Sequence, residues 1–95
     1  MMRLSGRQRH VLTKMTHGWE LGESTTFDGR CWLQLGGCGR GGAVEHVSHA
    51  TVHALWTRQL IMEVAHVFPL RRYGLTPLAI RLLHPEAHDA AVSAR

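Results

Sequence analysis

The sequence predicts a small α+β domain. Capped amphipathic helix patterns occur at three places, and alternating apolar strands with turn dipeptides lie between them. The 95 residues, 44% of them hydrophobic, suit one core with little room for a second.

Ser5-Gly6-Arg7-Gln8 has capping-box spacing, in which each end residue satisfies a backbone N–H of the other. Behind it, Gln8, Val11, Leu12 and Met15 share one side of a helix over about 5–17, and Arg7, His10, Lys14 and His17 share the other. Gly18 suits the left-handed position that ends it. Residues 19–35 read as a β-hairpin: Trp19, Leu21 and Glu23 alternate, Asp28-Gly29 is a turn dipeptide, and Cys31 to Leu35 alternates with Trp32 and Gln34 on the second face. Five glycines within residues 36–42 make backbone order costly, so this loop is expected to be mobile unless a partner holds it.

Ser48 is an N-cap for a helix over about 48–59. Val52, Leu55, Trp56 and Leu60 repeat at helical spacing, which predicts Trp56 in the core and His49, Ala50, His53, Ala54 and Thr57 on the outer face. A strand over about 60–66, a tip at 67–70 where Pro69 breaks pairing, and a return strand over 71–75 follow. Thr76-Pro77 joins an N-cap to a first-turn proline, opening a helix that His84-Pro85 ends. The expected division is a domain at 1–84 and a tail at 85–95.

The net charge of +4 permits nucleic-acid binding, and ten of the eleven basic residues are Arg. The first residues lead into a polar helix rather than an apolar leader, and no apolar run reaches membrane-spanning length. A cytoplasmic chain with Cys31 and Cys38 as thiols is therefore expected.

Ser48-x-x-Thr51-Val52-x-x-Leu55, Leu60-Ile61 and Tyr73-x-Leu75-Thr76-Pro77 fix caps, core positions and strand starts together. Over about residues 47–83, with the Leu4-Ser5 helix start, the chain resembles winged helix-turn-helix proteins of the MarR type, and more closely the compact YjhX-type proteins of phages and bacteria. The resemblance implies a compact winged-helix-like domain, to which the pattern of residues 19–35 adds an extra N-terminal β-hairpin. Two positions depart from it. Gln59 stands where the family usually has Gly, and the hairpin with its Gly-rich loop stands where the family has the helix before the recognition helix.

The leading expectation is DNA binding for transcriptional regulation, as a dimer on a two-fold site. His49, His53 and Thr57 would face the groove, with Arg58, Arg71 and Arg72 on phosphates. The alternative is a phage-type inhibitor or adaptor, anti-CRISPR-like, that grips a protein complex through Trp32 and Phe68. No enzyme is expected, because the chain has no nucleophile elbow, P-loop or Walker lysine. No cofactor or metal is expected either: Cys31-x6-Cys38-x7-His46-x2-His49-x3-His53 is not a standard zinc spacing.

Overall fold

The computed structural model describes residues 3–26 and 28–84; the expected tail at 85–95 lies outside them. Ser5 Oγ accepts the Gln8 N–H and the Ser5 N–H donates to Gln8 Oε1, both at 3.1 Å, so the capping box opens α1 (Gly6–Thr16) as its spacing predicts. The chain continues through β1 (Trp19–Ser24), β2 (Cys31–Leu35), β3 (Val44–Val47), α2 (His49–Thr57), β4 (Ile61–Val67), β5 (Leu70–Leu75) and α3 (Pro77–Leu83). Ser48 and Thr76 cap α2 and α3 through their hydroxyls, with Pro77 in the first turn of α3.

The five strands form one antiparallel sheet in the order β3-β2-β1-β5-β4. The strands at 19–35 are thus its middle and not an appendage, because β1 pairs with β2 on one side and β5 on the other. Strand β3 occupies the stretch just before α2, where the family resemblance would put a helix.

Alternation sorts the side chains. Leu21, Cys31, Leu33, Val47, Ile61 and Tyr73 face the helices and join Val11, Leu12, Val52, Leu55, Leu60 and Ala79 in one core. On the reverse face, register brings Trp32, Gly22 and Arg72 side by side, with Glu20, Gln34, His46, Leu70 and Gly74 around them.

Two expectations need correction. The glycine-rich loop is not left loose: it folds back over the reverse face. The Cys38 N–H donates to Glu20 Oε1 and the Gly39 N–H to Gln34 Oε1, each at 2.9 Å, while Gln34 Nε2 donates to the Gly42 carbonyl. Cys38 is buried over Gly22, where only a residue without a Cβ leaves room for its sulfur. Trp56 is 51% exposed and not in the core. Only Val52 and Leu55 of α2 are buried, because the helix meets the sheet along a narrow line and Trp56 falls at its margin. Its ring meets Tyr73 edge to face, with centroids 5.9 Å apart.

Candidate functional site

Two regions gather the residues that could carry function. One lies under the start of α2. Strand pairing sets Glu23 opposite Cys31 and next to Arg71 of β5, all on the helix-covered face. The Ser48 cap then swings His49, the first residue of α2, over this corner. Tyr73 donates to Glu23 Oε1 at 2.6 Å, and Arg71 Nη1 lies 3.5 Å from the same oxygen. His49 Nε2 lies 3.1 Å from Glu23 Oε2, and Arg71 Nε lies 2.8 Å from Glu63 Oε1. Burial, then the bond to Glu23, pushes the Tyr73 phenol up to about 12. Burial also pushes the Cys31 thiol up to about 11, with the Glu23 charge adding to it, so Cys31 is a neutral thiol at ordinary pH.

The other region is the reverse side of the β4–β5 ribbon. Met62 and Val64 are half-exposed, and Val67 and Phe68 at the tip are 77% and 76% exposed. Val64 packs over Gly74, and a bulge at this point shifts the register between Glu63 and Ala65. The outer edge of β4 pairs with no other strand among the described residues. Arg72 sits beside this apolar strip, 3.9 Å from Glu20.

The proposed base-reading and phosphate-binding residues do not form one surface. His53 and Thr57 are exposed on α2, and His49 is exposed while leaning on Glu23. Arg58 instead ties the N-terminus down, donating to the Arg3 carbonyl at 2.6 Å and to Gln8 Oε1 at 3.2 Å. Arg71 points toward the helices between Glu23 and Glu63, while Arg72, its neighbour, points out of the opposite face. On α1, Arg7 reaches the His46 carbonyl, His10 and Lys14 flank Glu45, and Lys14 also lies over the Trp19 ring. The His10 contact is the leading reason that Glu45 ionises below the usual carboxylate range.

Of the two aromatic interface candidates, Phe68 is open and Trp32 is largely engaged. The Trp32 indole N–H donates to Gln34 Oε1 at 3.2 Å, and its ring lies against Gly22. Sequence spacing also grouped Cys31 with Cys38 and His46 as conceivable metal ligands. The sheet separates them: Cys31 faces the helices, whereas Cys38 and His46 lie on the reverse side.

Glu23 and Tyr73 were not singled out as site residues by sequence reasoning. A signal existed for Glu23, because a carboxylate in the inward phase of Trp19-x-Leu21-x-Glu23 must find partners once covered. No signal located those partners, which arrive from β5 and α2. Comparison of the chain with family models, curated proteins and solved structures finds no match. No helix of the described residues is long and apolar enough to cross a membrane.

Proposed function

We propose that this chain is a protein-binding module that docks through the β4–β5 ribbon, with Phe68 and Val67 at the tip and Met62 and Val64 along the strip. The winged-helix resemblance supplies the frame for this reading: a capped helix followed by a two-stranded wing, used as a grip on an adaptor or inhibitor target. The observation that carries it is the concentration of exposed apolar side chains on the reverse face of one ribbon, at a sheet edge. Arg72 beside the strip and the net charge of +4 favour an acidic protein surface that offers apolar side chains. Burying a Phe is worth about 1.5–3 kcal/mol, so Phe68→Ala should weaken the complex roughly tenfold or more.

The test captures partners on tagged protein from cells of the source, with nuclease present. The reading expects a complex of fixed stoichiometry that is lost in Val64→Glu, reduced in Phe68→Ala and retained in His53→Ala. A complex indifferent to both ribbon substitutions would overturn it.

DNA binding for transcriptional regulation is the second reading, favoured by the exposed line His49, His53 and Thr57 and by the positive charge. It is the weaker one because Glu23 and Glu63 hold Arg71, and Arg72 faces away from α2. A duplex mobility shift that weakens steeply with salt, and weakens further in His53→Ala, would establish it in place of the first.

A further inference from the structure

We propose that Glu23, Cys31 and His49 form a binding site for a single Zn2+ ion, with its fourth position open. These residues come from β1, β2 and the first turn of α2: strand pairing joins Glu23 to Cys31, and the start of α2 brings His49 to Glu23.

The three donor atoms, a carboxylate oxygen, a thiol sulfur and an imidazole nitrogen, lie within 4.8 Å of one another. Zinc takes nitrogen and oxygen ligands at about 2.0–2.1 Å and sulfur at about 2.3 Å, so tetrahedral ligands stand roughly 3.3–3.6 Å apart. Glu23 Oε2 and His49 Nε2, at 3.1 Å, lie just inside that spacing and need only a small separation to admit the ion. Bringing the sulfur into place needs a closure of about 1.2 Å at most from the 4.8 Å limit. His49 can supply it, because its side chain is 65% exposed and its one side-chain hydrogen bond among the described residues is to Glu23.

The surroundings suit an ion. Tyr73 and Arg71 both approach Oε1 of Glu23, which leaves Oε2 turned toward His49. That is the arrangement by which outer partners orient a ligating carboxylate. A thiolate and a carboxylate together balance the ion's double charge, and Arg71 is shared with Glu63. A soft sulfur with imidazole and carboxylate selects zinc-like ions over calcium or magnesium. On uptake the Cys31 thiol proton leaves to solvent and the sulfur binds as thiolate. A cleft of about 400 Å³ opens onto Glu23 and His49 beside Val52 and Trp56, on the side where the remaining position would lie.

The site lies on the opposite face of the sheet from the docking strip, so either proposal can fail without the other. The test is titration of metal-free full-length protein with Co2+ and then Zn2+. One Co2+ per chain should bind, with a thiolate-to-cobalt charge-transfer band that Zn2+ abolishes. His49→Ala, a surface change whose fold is checked by circular dichroism, should weaken binding at least tenfold. Tyr73→Phe should weaken it about 10–100-fold through the loss of carboxylate orientation. Cys31→Ser should remove the band and Cys38→Ser should leave it. No band in the folded wild-type protein, a band that survives His49→Ala at full affinity, or a band that depends on Cys38 would overturn the proposal.

Discussion

Gly22→Ala puts the packing of the glycine-rich loop to a direct test. A Cβ at this position would lie 2.5 Å from Cys38 Sγ and 3.4 Å from both Leu70 Cδ1 and Trp32 Cζ2. The last two contacts are tolerable; the first is about 1 Å inside ordinary carbon–sulfur contact and forces the Cys38 side chain, or the loop that carries it, to move. Overpacking of this kind costs about 1–3 kcal/mol. Displacing Cys38 also strains the 2.9 Å bonds from the Cys38 and Gly39 amides to Glu20 and Gln34, each worth about 1 kcal/mol net. A total loss of roughly 2–4 kcal/mol is expected, a large share of the stability of a small domain. Urea unfolding reads that loss. Labelling with an aromatic disulfide reads its cause, because burial and the Glu20 charge push the Cys38 thiol up to about 12 and keep it inert in the native fold. In Gly22→Ala, peptide mapping should show Cys38 labelled quickly and Cys31 still protected. Adding Cys38→Ala should recover part of the lost stability, since the clash then has no sulfur to meet. A Gly22→Ala protein with wild-type stability and an unlabelled Cys38 would refute the packing described.

Gln59 has φ of 61°, a left-handed backbone, and the following Leu60 N–H donates to the Leu55 carbonyl at 2.9 Å. Gln59→Gly should therefore raise stability by up to about 1 kcal/mol, offset in part by the freer unfolded chain, and a lowered urea midpoint would contradict this. Arg58→Ala should lower stability by about 1 kcal/mol through the lost bonds to Arg3 and Gln8; equal unfolding midpoints for the two proteins would show those bonds to be idle. In metal-free protein, Cys31 and Cys38 are raised from 9.0 to about 11 and about 12, and Tyr73 from 10.0 to about 12. Raised acids contribute stability that is complete below their unfolded values and lost as pH climbs through the folded ones. The urea midpoint should thus hold to about pH 9 and fall toward pH 12; a midpoint that stays level across that range would disprove the burial of these groups.

Local chemistry was legible in the sequence. Ser5 with Gln8, Ser48, and Thr76-Pro77 start their helices because each cap is a bond between residues three apart, which spacing alone can show. The left-handed backbone at Gln59 was not legible, because nothing in its own residue type marks that conformation. What else could not be read depends on partners distant in sequence. The Glu20 and Gln34 side chains order the glycine-rich loop, and nothing in the seven loop residues reveals that. Trp56 has core periodicity, yet α2 buries only Val52 and Leu55, since the width of the buried stripe is set by the neighbouring sheet. The opposite directions of Arg71 and Arg72 follow from alternation; that the Arg71 side is the one with Glu23 follows only from the β1–β5 register. That register decides against a single cationic surface beside α2.

A photoreactive benzoylphenylalanine at position 68, compared with the same probe at position 53 on α2, asks which surface the partner occupies. Irradiation in cells of the source, followed by mass spectrometry of the adducts, should yield one discrete protein adduct from position 68 and none from position 53. Nucleic-acid adducts from position 53, with position 68 silent, would mean that α2 is the binding surface and that the ribbon does not serve as the grip.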